Sequence, residues 1–321
     1  VTQRILVIKL AALGDFVLAF GAMKKIREAH PDAQITLLTT PPFADLARAS
    51  SLFDAIETDG RPKARGDLLA MLLRLRRARY DRVYDLQTSS RSSSYFYALW
   101  PNPPQWSGIA LGCSHPHANP GRDQMHTLER QADQLKFAGI WPDAPTAPGS
   151  APSPDLSFIL KSDAPRLSPE HFGLSGPYAL LIPGASPHRP GKRWPVGHFA
   201  ALACQLVEQG LTPVVVGGPG EAALAREIQG RCAKAVDLTG KTDFAQLAAL
   251  GARAAVAIGN DTGPTHLVAA AGAPTLCLFS NESDPALCAP RGMRVAVLQA
   301  PLLADLGVSS VLSALVGFAI A

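Results

Sequence analysis

The chain of 321 residues is long enough for two domains, and with 47% hydrophobic and 17% charged residues it can bury sizeable cores, which excludes a disordered chain. A formal net charge of +4 is mild for this length; it permits an anionic ligand or membrane surface and makes no case for nucleic acid. The five cysteines, Cys113, Cys204, Cys232, Cys277 and Cys288, are odd in number and scattered; they fit neither a disulfide framework nor metal-ligand spacing and point to a reducing cytosol.

The first element, Arg4 to Leu10, is a continuous apolar run suited to a buried parallel strand. It is entered almost at once, with no charged-then-apolar leader. It ends in Ala11-Ala12-Leu13-Gly14-Asp15, and a helix is predicted from Phe16 to Ala29. A strand over Gln34–Thr39, a helix from about Pro42 to Ser50 and a short strand near Ala55-Ile56 continue the alternation of a doubly wound α/β sheet. Such sheets bind ligands beyond the carboxyl ends of their strands, where Asp15 stands. Asp15 has two readings, a helix cap or a carboxylate placed to take a proton.

Arg61, Lys63 and Arg65 precede a predicted helix, Asp67 to Arg79, whose Leu68, Leu69, Leu72, Leu73 and Leu75 supply a buried face. Its Arg74, Arg76, Arg77 and Arg79 form either an ordinary solvated face or a landing surface for an acidic acceptor or anionic lipid. A strand over Tyr80–Leu86 leads into a polar turn, Gln87 to Ser94, that contains Arg91, and then a helix. The stretch 101–123 is rich in Pro, Gly and His. Cys113, His115, His117 and His126 match no common zinc spacing, so a mobile loop over a cleft is expected there. A helix over Met125–Gly139 and a connector, Pro142 to Pro154, close the first half. The domain boundary is expected between that connector and Pro177.

The second half opens with a strand, Tyr178–Ile182, running into the turn Pro183 to Pro195. A helix (His198–Gln209), a strand (Thr212–Val216), the turn Gly217-Gly218-Pro219-Gly220-Glu221, a helix (Ala222–Arg231), a short strand (Val236-Asp237) and a helix (Phe244–Gly251) follow. The run Ala254–Ile258 then enters Gly259-Asn260-Asp261-Thr262-Gly263-Pro264-Thr265-His266, a strand–turn–helix signature. Gly259 and Gly263 allow a sharp turn and close backbone approach, and Asp261 or Thr262 can cap the helix. A helix start of this kind attracts phosphate, with His266 within the first turn or so. A strand over Pro274–Phe279 follows. The apolar tail 301–321 carries Asp305, Gly307, Ser309, Ser310 and Ser313 and suits a docked helix better than a membrane span. The chain has neither a glycine-rich dinucleotide fingerprint after its first strand nor a Walker lysine motif. Three polar turns thus follow three strands of one sheet: Ser186 and Lys192 in the first, Glu221 in the second, Asp261 to His266 in the third. Lys192 can set a point charge on a phosphate and Glu221 can accept from ribose hydroxyls. Their convergence favours a nucleotide-diphosphate site.

Five blocks, Lys9-Leu10 through Leu13-Gly14-Asp15, Gly184-Ala185-Ser186, Lys192-Arg193-Trp194-Pro195, Gly217 to Glu221, and Asp261 to Leu267, stand in the order seen in the ADP-heptose:lipopolysaccharide heptosyltransferase family, which the chain resembles over most of its length. The resemblance implies a GT-B architecture of two Rossmann-like domains facing a cleft: residues 1–170 on the acceptor side, 171–300 for the donor, and a helix over 301–321 returning to the first domain. It implies an inverting, metal-independent enzyme without a cofactor, moving heptose from ADP-L-glycero-β-D-manno-heptose to a Kdo or heptose of the inner core. By the same resemblance Asp15 is the general base and Lys192 stabilises the leaving diphosphate. Ser186 and Thr262-Gly263 hold phosphate, Glu221 the ribose, and Asp261 and His266 the donor sugar and diphosphate. Lys63, Arg65 and Arg91 fall to the acceptor. The implied partners are the ADP-heptose donor and an anionic lipid A–Kdo or core-oligosaccharide acceptor, met in the cytoplasm with peripheral contact at the inner membrane. One departure is Ser280-Asn281-Glu282-Ser283-Asp284, where the family has Gly and a Thr-containing turn. The alternatives are a GT-B transferase for another nucleotide sugar and a catalytically inactive nucleotide-sugar scaffold; Asp15 together with Lys192 argues against the scaffold.

Overall fold

A computed structural model describes residues 2–161 and 164–318, and its chain divides into two compact units between Pro152 and Ser153. The first unit runs β1 (Arg4–Ile8), α1 (Leu13–Leu18), α2 (Phe20–Ala29), β2 (Gln34–Leu38), α3 (Ala44–Ala49), β3 (Ala55–Glu57), α4 (Arg65–Ala78), β4 (Arg82–Asp85), α5 (Ser90–Ala98), β5 (Gln105–Gly108), β6 (His115–Pro116) and α6 (Thr127–Phe137). All its strand pairs are parallel, in the order β3-β2-β1-β4-β5-β6. β1 is central, and Ile5, Leu6, Val7 and Ile8 are fully buried, as a strand covered on both faces requires.

Three expectations change here. The helix predicted over Phe16–Ala29 is two helices joined at Ala19, and α1 begins early enough to hold Asp15 in its first turn. On α4 the core-facing residues are Met71 and Leu75, whereas Leu69 and Leu73 are 59% and 43% exposed. At 100° per residue those two leucines point away from Met71, so the predicted apolar face was drawn too wide. The segment 101–123, expected as a mobile loop, contributes β5 and β6 to the sheet, with Trp106 and His117 buried.

The second unit runs β7 (Tyr178–Ile182), α7 (Val196–Glu208), β8 (Thr212–Val215), α8 (Ala222–Arg231), β9 (Val236–Asp237), α9 (Phe244–Arg253), β10 (Val256–Asn260), α10 (Gly263–Ala271), β11 (Thr275–Phe279), α11 (Pro285–Cys288), β12 (Val295–Gln299) and α12 (Val308–Val316). Its parallel order, β12-β11-β10-β7-β8-β9, repeats the winding of the first sheet when strands are counted within each unit. This is the doubly wound Rossmann order, whose ligands gather where the winding reverses. The reversal lies between β1 and β4 in one unit and between β7 and β10 in the other.

The boundary falls before residue 170 because short 3-10 turns over 157–161, 165–167 and 169–172 pack on α9. There Arg166 pairs with Asp243 at 2.6 Å, and Gln246 donates to the Arg166 carbonyl at 3.3 Å. Leu303, Leu306, Val311 and Leu315 join the second unit's core beside Phe199, Leu202 and Leu206 of α7. Residues 319–321 of the helix predicted over 301–321 lie outside the described residues.

Candidate active site

In the first unit a polar cavity of about 200 Å³ opens at the winding reversal, lined by Lys9, Asp15, Gln87, Thr88, Arg122 and Arg130 among others. Asp15 is half-buried at its wall. One of its oxygens accepts from the Ala12 N–H at 3.3 Å, so it both caps α1 and borders the cavity. The turn that carries it is held from β4's end: Gln87 Oε1 accepts the N–H of Leu10 at 2.8 Å and of Ala11 at 3.1 Å. Beneath, Lys9 Nζ donates to the Leu86 carbonyl at 3.1 Å, and burial lowers its pKa against the raising pull of Asp15 and Asp85. Asp85 is fully buried, and burial lifts its carboxyl to about 6 despite hydrogen bonds from Ser92 and the Thr88 and Gln87 N–H groups.

In the second unit the three polar turns do converge. Asn260, at the end of β10, accepts from the Trp194 N–H at 3.0 Å and donates to the carbonyls of Pro183 at 2.8 Å and Gly184 at 3.3 Å, locking the β7 turn to the β10 turn. Lys192 Nζ donates to Asp261 Oδ2 at 2.5 Å, Ser283 Oγ donates to the same oxygen at 2.6 Å, and His266 Nε2 lies 3.5 Å from Oδ1. Burial alone would raise the Asp261 carboxyl, but the bonds from His266, Lys192 and Ser283 and the lysine's charge hold it well below the usual range. The buried Nδ1 of His266 has no hydrogen-bond partner among the described residues. Thr262 is the N-cap of α10 by backbone conformation, without a side-chain cap bond, so the first turn of the helix is open to an anion. Glu221 closes the other side, accepting from the Gly218 N–H at 2.7 Å. Its carboxylate occupies the space that a Cβ on Gly184 or Gly217 would need.

The remaining candidates are more dispersed. Ser186 is exposed on the turn that leads to Lys192. Arg91 is exposed but adjoins Tyr95, where it and Arg61 lower a phenol pKa that burial raises. Arg65 opens α4 and Lys63 stands two residues before it; both are exposed, and neither lines the Asp15 cavity. The Cys/His stretch is spent internally. His117 Nε2 is 2.8 Å from Asp133, His126 caps α6 by accepting from the Leu128 N–H, and the Cys113 thiol donates to the Gly108 carbonyl at 3.8 Å. Sequence reasoning missed Gln87, Arg122, Arg130 and Ser283, whose partners or cavity neighbours are distant in the chain.

The family model for glycosyltransferase family 9 (heptosyltransferase) matches residues 68–304. The chain belongs to this family. Lys192, Glu221, Asp261 and His266 lie inside the matched family 9 span, and Asp15 precedes it. The chain is 27% identical to lipopolysaccharide heptosyltransferase 2 of Escherichia coli over 92% of its own length and 88% of that protein's. It is 23% identical to lipooligosaccharide heptosyltransferase 2 of Haemophilus ducreyi over the same shares. Its fold matches the structure of E. coli ADP-heptose lipopolysaccharide heptosyltransferase II with a TM-score of 0.83 at 24% identity, covering 98% of each chain. It matches a family 9 structure from Veillonella parvula with a TM-score of 0.80 at 21% identity, covering 98% of this chain and 97% of that one. The family 9 chain is thus a glycosyltransferase of α/β, Rossmann-like build. Among the described residues no helix is long and apolar enough to cross a membrane.

Proposed function

We propose that this family 9 enzyme moves heptose from ADP-heptose to an anionic sugar of the lipopolysaccharide inner core, a Kdo or a heptose, with inversion at the anomeric carbon. The observation that carries the donor half is the Lys192–Asp261–His266–Ser283 cluster beside the open start of α10. An ammonium has three donors and Asp261 takes one, leaving two for a diphosphate. Asp261 keeps Lys192 extended toward the turn, and Glu221 accepts the ribose hydroxyls. Ser186 and the Thr262-Gly263 turn hold phosphate.

Asp15 is the base in this reading. The acceptor hydroxyl attacks the anomeric carbon from the face opposite the diphosphate, its proton passes to the Asp15 carboxylate, and the bond from sugar to phosphate oxygen breaks. The ADP leaves as an anion whose new charge meets Lys192 and the N-terminal dipole of α10. Arg91, Lys63 and Arg65 serve the acceptor. Because the acceptor is lipid-linked, the enzyme works in peripheral contact with the cytoplasmic face of the inner membrane.

Turnover of ADP-heptose with a lipid A–Kdo or heptosylated acceptor tests the reading. Release of ADP and acceptor-dependent product by the wild type, abolished in Asp15→Asn with ADP affinity unchanged, is the expected result. Turnover only of a different nucleotide sugar, or none at all with ADP still bound, would replace it with one of the alternatives.

A further inference from the structure

A cavity of about 950 Å³ in the first unit shares no lining residue with the Asp15 pocket. It is framed by the end of α4 and the end of α5 and includes Arg76, Arg77, Arg79, Leu73 and Leu99 in its wall. Two features set this surface apart from an ordinary solvated helix face. Leu69 and Leu73, one turn apart on α4, are 59% and 43% exposed, and Trp100 just past α5 is 56% exposed. A face meant only for water does not spend two leucines and a tryptophan on it. The three arginines beside them have no ion pair among the described residues, whereas Arg74 on the same helix pairs with Glu57 and Asp59. Arg76 instead donates to the Trp100 carbonyl at 2.9 Å, fixing the aromatic residue next to the charges. The one carboxylate in the cavity wall, Asp81, accepts the Arg4 N–H at 2.7 Å.

Apolar side chains flanked by unpaired arginines and an exposed tryptophan are the composition of a surface that lies in a bilayer interface. We propose that the outer face of α4 and the end of α5 form a docking surface for an anionic lipid bilayer. Leu69, Leu73 and Trp100 enter the interfacial layer, and Arg76, Arg77 and Arg79 meet lipid phosphates. This rests on the reading above that the enzyme works at a membrane-anchored acceptor, and it names the face that makes the contact.

The test is co-sedimentation of the full chain with vesicles that contain no sugar acceptor, either phosphatidylcholine alone or phosphatidylcholine with phosphatidylglycerol. The expected result is binding that needs phosphatidylglycerol and weakens with salt. Replacing Arg76, Arg77 and Arg79 together by Gln should weaken it roughly a hundredfold, at about fivefold per arginine. Quenching of tryptophan fluorescence by brominated lipid should be present in the wild type and lost in Trp100→Phe. Transfer to a delipidated core oligosaccharide should be unchanged in both variants. Equal binding to both vesicle types, no binding to either, or quenching that survives Trp100→Phe would overturn the proposal. So would loss of transfer to the soluble oligosaccharide, which would move these arginines into the acceptor site. Because the vesicles lack acceptor, an enzyme with a different sugar chemistry would still bind them, so the two readings fail separately.

Discussion

Asp15 borders its cavity and, among the described residues, has one hydrogen bond, accepted from the Ala12 N–H at 3.3 Å, so removing its charge should cost chemistry far more than stability. Asp15→Asn is expected to lower kcat by roughly 10²–10⁴-fold, the range for general-base loss, with ADP affinity unchanged by calorimetry. Gln87 acts through it. Gln87→Leu strands two backbone N–H groups that the glutamine now accepts and frees the turn, so kcat should fall about tenfold to a hundredfold. Gln87→Glu keeps an acceptor in place and should recover most of the rate, which a merely structural glutamine would not require. Asp85 gives a pH signature. Its folded pKa of about 6 lies above the ordinary carboxylate value, so the native state binds the extra proton between about 4 and 6. Stability therefore falls as pH rises through that window, and Asp85→Asn should flatten this dependence in denaturant titrations. Asp261 has the opposite sign. Its depressed pKa contributes stability that is complete above the ordinary carboxylate range and is lost only as pH falls below it. At this scale the sequence was partly legible. Asp15, Lys192, Glu221 and Asp261 stand in turns after strands, where pattern alone marks them. Gln87, Ser283 and the anchoring bonds of Asn260 were not legible, because a lone Gln, Ser or Asn in a turn looks the same whether its partner is water or a backbone group about 77 residues away.

At the scale of elements, close packing at the ends of β7, β8 and β10 shapes the donor turns, and two glycines there do different work. A Cβ on Gly259 would overlap Thr265 Oγ1 and lie 2.8 Å from Ile182 Cβ, both held inside the sheet and helix. Gly259→Ala is expected to destabilise the protein by about 1–3 kcal/mol, as overpacking in a core does. A Cβ on Gly184 would instead meet the end of the Glu221 side chain, which can swing aside. Gly184→Ala should leave the melting temperature nearly unchanged and raise the KM for the nucleotide sugar, because it displaces the group assigned to the ribose. A large drop in melting temperature without a change in KM would remove Glu221 from the donor site. Sequence reasoning found the long apolar runs, β1, β7 and β10 among them, and also the short β3 and β9, which stand between predicted helices. β5 and β6 escaped it because they are short, polar and set among prolines and glycines, and half-exposed β12 lies at a sheet edge. Their strand character comes from pairing to neighbours rather than from their own residues. The same limit explains α4, where five leucines read as one buried face although the helix repeat places two of them outside.

For the whole molecule, the two units share a winding order but carry opposite equipment at the reversal: a carboxylate beside a polar cavity in one, a lysine, an open helix start and a glutamate held by the Gly218 N–H in the other. A duplicated scaffold does not by itself divide labour; the residues in its turns do. That division makes a claim about where a nucleotide is felt. ADP, which lacks the sugar and the acceptor, should stabilise the second unit by mass action. Amide hydrogen exchange with saturating ADP is expected to slow at 184–194, 217–222 and 260–267, and to stay unchanged at 9–16 and 85–89. The expected pattern follows from the proposed donor site, in which the N–H groups of the turns after β7, β8 and β10 meet the diphosphate, while those of Leu10 and Ala11 are already spent on Gln87. Asp15→Asn should leave that protection map intact, whereas Lys192→Ala should weaken it across all three donor turns at once, since the lysine comes from one turn and its carboxylate partner from another. Protection centred instead on 9–16 would assign the nucleotide to the first unit and exchange the roles of the two carboxyl ends.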